Sequence, residues 1–210
     1  MALVEEPLSL PALPMLEPEP GERSDAARNR RAILAAAERL VAQRGADAVT
    51  MDAVATAAGV GKGTLFRRFS DRAGLLRALL DHRERAFQDA FIRGPAPLGP
   101  GAPPRERLVA FGEGLLDLIE INGDLLAGAE RGGPGKRLRH NVYAAYRAHV
   151  AILLDAISPQ RDIEYLVDVL LATFAADLVL YQRRVLELPL QRLKDGWRAL
   201  VDDLASAAGN

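Results

Sequence analysis

The segment over residues 50–72 restricts what this chain can fold into more than any other part of the sequence. Its spacing predicts a short helix over 51–57, capped by the threonine before it and ended by Gly59, where a left-handed residue costs least. A second short helix is predicted to begin three residues later, with Leu65 and Phe69 four residues apart on its buried side. Two short helices joined by a tight glycine turn predict a helix-turn-helix, whose second helix enters the major groove of DNA.

The positive charge of the chain is concentrated in the same place. Residues 23–72 hold ten lysines and arginines and five acidic residues, whereas residues 1–22 hold five glutamates and no base. Residues 73–210 are nearly neutral, so the total charge of −1 conceals one basic block. A basic block that coincides with a helix-turn-helix indicates a surface for nucleic acid. The acidic N-terminal tail is open to two interpretations, an unselected extension or an arm that shields the basic block.

The same segment resembles the DNA-binding domain of the tetracycline-repressor (TetR) family of bacterial transcription regulators. The matching residues are 57–69, Asp71, Arg72, Leu75 and Leu76. Two positions depart from the commonest family pattern, because Gly61 replaces a frequent serine and Phe66 replaces a frequent tyrosine. The second helix therefore lacks a side-chain N-cap, and it lacks a hydroxyl that often reaches a phosphate in the family.

The rest of the chain has helical apolar spacing and no segment with the alternation of a strand. An all-α protein is predicted, with an N-terminal three-helix helix-turn-helix DNA-binding domain and a C-terminal helical domain for ligand binding and dimerisation. The expected divisions are a disordered acidic tail over 1–24, the DNA-binding domain over 25–72 and the effector-binding and dimerisation domain over 73–210. A helix over 70–93 should connect the two domains before a loop rich in proline and glycine over 94–104.

Further helices are predicted over 105–121, 124–130, 136–157, 162–186 and 190–207. The helix over 162–186 is apolar around most of its circumference, and such a helix has to be covered on all sides. We therefore expect it to form, with the final helix, half of a four-helix bundle between two subunits, as the resemblance also implies. A helix buried at the centre of a monomer is the alternative.

The residues expected to contact DNA lie on the helix-turn-helix and beside it. Those expected near base edges are Lys62, Gly63, Thr64 and Arg67, and those expected near phosphates are Thr50, Phe66, Arg68 and Arg72. In a homodimer, two such helices would lie about one DNA turn or more apart on a near-palindromic operator in double-stranded DNA. The resemblance implies a repressor.

The C-terminal helices also supply side chains for a small-molecule effector pocket. The candidate ligand-binding residues are Phe87, Phe91, Phe111, Leu115, Asn122, Tyr143, Tyr146, Phe174, Asp177 and Tyr181. Each of them also suits a closed core, and the pocket is mainly what the resemblance implies. A regulator that binds DNA without an effector, with this core filled solid, is therefore an alternative function.

Other chemistry has little support in the sequence. The run over 59–64 lacks the spacing of a phosphate-binding loop, because Thr56 stands where an earlier glycine is required and Gly63 where a serine or threonine is required. The chain has no cysteine and its three histidines form no i, i+4 pair, so we expect no metal site and no cofactor. We do not expect an enzyme, and an enzyme of unrecognised type is the remaining alternative.

The N-terminus does not have the pattern of a signal peptide, since no basic residue precedes its apolar stretch and three prolines interrupt it. The most apolar segment, 165–181, contains two aspartates and is shorter than the ~20 residues of a membrane span. These features predict a cytoplasmic protein with no membrane partner.

Overall fold

A computed structural model describes residues 24–46, 48–130 and 141–206 of the chain. These residues form helices joined by turns, with no strand in the described ranges, which confirms the all-α class. The helices are α1 Ser24–Arg44, α2 Met51–Ala58, α3 Lys62–Phe69, α4 Arg72–Arg93, α5 Pro104–Glu130, α6 Asn141–Ile157, α7 Ile163–Ala172, α8 Ala176–Arg184 and α9 Leu190–Ser206. The predicted acidic tail and the predicted helical start over 136–140 lie outside the described residues.

The first three helices and the start of α4 enclose a small apolar core. The fully or almost fully buried residues at its centre include Ile33, Leu34, Val54, Leu65, Leu75 and Leu79. The predicted turn geometry is present, because Thr50 Oγ1 accepts the backbone N–H of Ala53 at 3.2 Å and Gly59 has a φ of +66°. The N-cap of α3, Gly61, makes no side-chain hydrogen bond, as its lack of a side chain requires.

α4 belongs to two apolar cores. Leu75 and Leu79 in its first half pack in the N-terminal core, and Phe91 near its end packs in the larger core that α5 to α9 form. A helix of 22 residues is about 33 Å long at 1.5 Å per residue. α4 therefore provides a continuous rigid link between the two cores, and the domain boundary predicted after residue 72 falls at its first residue.

α5 is one continuous helix where the sequence predicted two. Asn122 and Gly123, which suggested a break, both lie within it. The Asn122 Nδ2 group donates to the carbonyl oxygen of Leu118 at 2.9 Å, so this amide is satisfied inside the helix. Gly123 leaves room for Leu180 of α8, whose Cδ2 would lie 2.6 Å from an added Cβ. Asn122 therefore bonds within α5, Gly123 allows close packing of α8, and neither residue ends the helix.

The predicted single helix over 162–186 is wrong in its middle, where a turn over 173–175 separates α7 from α8. The Thr173 hydroxyl donates to the carbonyl oxygen of Leu170 at 2.7 Å. Phe174 is buried beside Trp197, with 4.8 Å between the ring centroids. The apolar residues that were expected around one helix therefore lie on two shorter helices. Val167, Leu170, Leu171 and Val179 are buried, whereas Val169 and Leu178 are exposed.

α9 packs mainly on α5, which covers most of its apolar stripe inside the subunit. Trp197, Val201 and Leu204 are buried, and Trp197 Nε1 donates to the carbonyl oxygen of Leu108 at 3.1 Å. Leu200 is the member of the stripe that remains exposed, at 38 %. The four-helix bundle between two subunits stays a prediction, with Leu200 as the exposed apolar residue that α9 offers to it.

Candidate nucleic-acid interface and ligand cavity

α3 turns one side to the N-terminal core and the other to solvent. Leu65 and Phe69 are buried and hold the helix against the core. The exposed residues of the helix are Lys62, Gly63, Phe66 and Arg67. Thr64 and Arg68 are half-buried at its sides. The structure thus brings the residues predicted to meet base edges together on one short helix, most of them on its outward face.

Two of the first three positions at the start of α3, the N-cap Gly61 and Gly63, have no side chain. A Cβ added at Gly61 or Gly63 would meet no other heavy atom within 4 Å, so neither glycine is needed to make room for packing inside the chain. A glycine inside a helix costs up to about 1 kcal/mol relative to alanine. The described contacts offer no compensation at Gly63, and its backbone is open to close approach by a partner.

Lys62 is held at the start of α3 by an acidic residue of α2. Its Nζ donates to Asp52 Oδ2 at 2.7 Å, and the two side chains are 65 % and 62 % exposed. An exposed ion pair of this kind contributes about 0–1 kcal/mol. Lys62 can therefore exchange the carboxylate for an acceptor on nucleic acid at small cost. Sequence reasoning missed Asp52, because a spacing of ten residues across a turn carries no periodic signal.

Arg72 differs from the other predicted DNA contacts. Its Nε donates to the carbonyl oxygen of Val49 at 2.9 Å, and its Nη2 donates to that of Ala46 at 2.6 Å. The guanidinium group thereby fastens the loop that leads into Thr50, the N-cap of α2. These two bonds position the loop, and the phosphate contact of Arg72 stays a prediction.

A cavity of about 1200 Å³ lies between the helix-turn-helix unit and the C-terminal helices. Four of the predicted ligand-binding residues line it, namely Leu115, Tyr143, Tyr146 and Phe174. Ligand pockets begin at roughly 300 Å³. The size of the cavity therefore favours a ligand site over a core that is filled solid.

The other predicted ligand-binding residues lie elsewhere. Phe87, Phe91 and Phe111 form an aromatic cluster with Tyr146, in which ring centroids are 5.4 to 6.0 Å apart. Asn122 is buried and accepts a hydrogen bond from Arg83 Nη1 at 2.8 Å. Asp177 and Tyr181 are exposed on α8, because the turn before that helix directs them away from the cavity.

Sequence reasoning missed the two acidic residues that α4 contributes to the cavity, Asp81 and Glu84. Glu84 is only 7 % exposed, and burial raises the pKa of its carboxyl to about 7, with a further contribution from Asp81. A signal was present in the sequence, since Glu84 continues the i, i+4 row of the buried residues Leu76 and Leu80. A carboxylate in an apolar row of a helix is worth attention for that reason.

Tyr146 Oη and His149 Nε2 are buried in the C-terminal core and have no hydrogen-bond partner in the described part of the chain. Burial raises the pKa of the Tyr146 hydroxyl well above its usual value, and the charge of Glu84 adds to the rise. Burial also lowers the pKa of His149 to about 3, with a contribution from Arg107. Of these two residues, Tyr146 lines the cavity.

The described ranges contain no group of three potential metal ligands and no helix that is both long and apolar enough to cross a membrane.

Comparison with known proteins gives the same family for the helix-turn-helix unit. Residues 33–79 match the family model of bacterial regulatory proteins, tetR family. A DNA-binding transcriptional repressor TetR of Mycobacteroides abscessus is 40 % identical over 58 residues, a match that spans 28 % of this chain and 30 % of that protein.

Solved structures resemble the whole fold. A proposed TetR-family transcriptional regulator from Rhodococcus sp. has a TM-score of 0.59 at 22 % identity, and the match covers 85 % of this chain and 99 % of that chain. A proposed transcriptional regulator from Saccharomonospora viridis, solved in complex with choline, has a TM-score of 0.60 at 22 % identity, covering 86 % of this chain and 96 % of that chain. At these identities the likeness concerns the fold alone.

Proposed function

We propose that this chain, whose residues 33–79 match the model of the tetR family of bacterial regulatory proteins, is a transcriptional repressor that a small molecule releases from DNA. The family model covers residues 33–79, from α1 through the helix-turn-helix to the first turns of α4, and in this proposal that part reads DNA. The observation that carries the proposal is the outward face of α3, where Lys62, Gly63 and Arg67 are exposed on a basic unit without another packing role.

In this proposal α3 enters the major groove. Lys62 and Arg67 are suited to the O6 and N7 acceptors of guanine, and Thr64 to either base type. Arg68, Phe66 and the N-terminal end of α2 would approach phosphates. Arg72 contributes by holding the loop before α2, as its two hydrogen bonds to carbonyl oxygens suggest.

The proposal includes a second copy of the chain. Leu178, Tyr181 and Val185 on and just after α8 are 40 %, 50 % and 64 % exposed, and their spacing of three and four residues places them on one face. Leu200 of α9 is exposed as well, and α8 and α9 both pack on α5. An exposed apolar face of this kind suits a twofold interface. Pairing through it would present two α3 helices to a near-palindromic operator.

The effector of the proposed repressor would occupy the cavity. The choline complex of the Saccharomonospora viridis relative supports a small-molecule site in this fold. Leu80 and Glu84 of α4 line the cavity, and Leu75 of the same helix packs beneath the DNA-reading unit. A ligand that prefers one position of α4 would therefore change the position of α3, through its different affinity for the two states. Such a regulator acts on DNA in the cytoplasm.

Selection of DNA fragments from a random pool tests the proposal. The purified chain should enrich one near-palindromic sequence with two half-sites, because a dimer presents two copies of α3. Arg161→Ala, which removes an exposed charge far from α3 in the sequence, should enrich the same sequence and serves as a control. A wild-type protein that enriches no sequence above the starting pool would contradict the proposed function.

A further inference from the structure

The cavity contains two buried polar groups that the fold leaves without a partner among the described residues. Glu84 on α4 is 7 % exposed, and its carboxylate takes part in no hydrogen bond or ion pair with another described residue. Tyr146 on α6 is also 7 % exposed, and its hydroxyl has no hydrogen-bond partner there. Both residues line the cavity. Buried polar groups are normally hydrogen-bonded, so an unpaired hydroxyl in the same cavity as a desolvated carboxyl points to a ligand.

The two groups act on the same space. α4 and α6 pack against each other, and the charge of Glu84 contributes to the raised pKa of the Tyr146 hydroxyl. A donor bound between them could donate hydrogen bonds both to the Tyr146 oxygen and to the Glu84 carboxylate. Since an ionised carboxylate only accepts, the group facing Glu84 has to be a donor or a cation.

No described residue forms an ion pair with Glu84. Arg83 immediately precedes Glu84, but it bonds elsewhere: its Nε donates to Glu38 at 3.0 Å and its Nη1 donates to Asn122 at 2.8 Å. Asp81, one turn earlier on α4, adds negative charge. The inner part of the cavity is therefore negative whenever Glu84 is ionised.

The wall around the carboxylate is apolar and aromatic. Leu80, Leu115, Leu118 and Phe174 line the same cavity as Glu84, and the rings of Tyr143 and Tyr146 line it from α6. The Tyr143 hydroxyl donates to Asp168 Oδ1 at 3.1 Å, which holds its ring in place. Aromatic rings attract cations, and an apolar wall suits a hydrophobic body.

We propose that this cavity takes a hydrophobic amine, whose protonated nitrogen pairs with Glu84 beside Tyr146 and whose apolar body lies against Leu118 and Phe174. Calling this amine an effector rests on the proposed repressor function. The binding itself does not, because it can be measured without DNA.

An organic anion is the rival class, since Arg67, Arg68 and Arg77 also line the cavity. Those arginines are exposed or half-buried, where water and salt weaken charge interactions. Glu84 is desolvated, where an opposite charge has the stronger effect. The observations therefore favour the cation.

Isothermal titration calorimetry with three probes of one shape tests the proposal: 2-cyclohexylethylamine, 2-cyclohexylethanol and 3-cyclohexylpropanoate, at pH 8 with the full chain. We expect the amine to bind about tenfold or more tightly than the other two, because it alone places a cation beside a desolvated carboxylate. Glu84→Gln should remove most of that preference and leave the affinity for the alcohol nearly unchanged. Glu106→Gln, which removes an exposed carboxylate from the first turn of α5, should retain it.

The proposal is overturned if the propanoate binds best, if wild type and Glu84→Gln bind the amine equally, or if the amine does not bind at all. The comparison among the three probes on wild type keeps the test valid even if Glu84→Gln does not fold. Fluorescence anisotropy with the selected DNA separates this result from the proposed function. Intact DNA binding without an amine preference overturns the ligand class alone, whereas amine preference in a protein that binds no DNA supports the ligand class and contradicts the repressor.

Discussion

The guanidinium group of Arg83 donates from Nε to Glu38 Oε1 at 3.0 Å and thereby joins α4 to α1. The same group donates from Nη1 to Asn122 Oδ1 on α5 at 2.8 Å. Arg83 is 8 % exposed, whereas the Glu38 side chain is 46 % exposed. One buried arginine, directly beside Glu84 in the sequence, therefore connects the helix-turn-helix unit with α5, which lines the cavity.

Arg83→Met should lower the free energy of unfolding by about 1–3 kcal/mol, because it leaves the buried Asn122 oxygen without this donor. Urea denaturation measures the change. Glu38→Gln is the matched control, since it removes the charge of the half-exposed partner and should cost less than about 1 kcal/mol. If Arg83→Met is as stable as the wild type, the buried network does not hold the two units together.

The buried carboxyl of Glu84 predicts a dependence of stability on pH. Its pKa is raised from 4.5 to about 7 in the folded chain, so between these values the unfolded chain releases a proton that the folded chain keeps. Stability should therefore fall as the pH rises from about 4.5 to 7, by on the order of 3 kcal/mol from this group, and change little above it.

Glu84→Gln isolates that contribution, because it removes this carboxyl and leaves the other titrating groups in place. His149, whose pKa burial lowers to about 3, works in the opposite direction below about pH 6.5 and cancels in the comparison. The variant should gain stability over the wild type between pH 5 and pH 8 in urea denaturation. A difference that is constant across this range would show that Glu84 is not desolvated.

Leu178→Glu should convert the proposed dimer to a monomer and weaken operator binding, because it places a charge on the exposed apolar face of α8. Analytical ultracentrifugation at micromolar concentration measures the association. Ala144→Glu, on an exposed position of α6, should leave the dimer intact. A change at Leu171, which lies on α7, would not test the interface. Leu171 is 1 % exposed, so Leu171→Glu should unfold the subunit. A wild-type monomer under these conditions would refute the interface.

The helix-turn-helix could be predicted from sequence because its determinants are local. Thr50 caps a helix whose own N–H groups need an acceptor, Gly59 takes a left-handed conformation, and Leu65 and Phe69 follow the helical repeat. These features depend on residues within a few positions of one another.

The C-terminal helices were harder to predict because their form depends on distant contacts. Gly123 ends no helix since Leu180 fills the space beside it, and the turn at Phe174 exists where that ring meets Trp197. The turn over 173–175, which the sequence did not predict, also explains why Asp177 and Tyr181 were expected in the cavity but lie outside it. Glu84 was visible as an acid in an apolar row, but its lack of a partner required the positions of α1 and α5.

Gly63→Ala and Gly196→Ala form a matched pair, because each glycine lies in a helix and an added Cβ meets nothing within 4 Å. Both changes should raise the free energy of unfolding by up to about 1 kcal/mol. Only Gly63→Ala should weaken operator binding, and Gly63→Leu should abolish it, since the side chain would occupy the space between α3 and the groove. A Gly63→Leu protein that binds with full affinity would remove this glycine from the DNA surface.

Operator affinity of Lys62→Ala and Asp52→Asn, measured side by side by fluorescence anisotropy, tests most directly whether α3 reads DNA. Lys62→Ala should weaken binding by about 1–3 kcal/mol if the lysine contacts a guanine. Asp52→Asn should tighten it at low salt, because it releases Lys62 from its 2.7 Å ion pair and removes a negative charge next to the phosphates. Opposite shifts from these two partners are the predicted result. Unchanged affinity in both variants would contradict the assignment of α3 as the recognition helix.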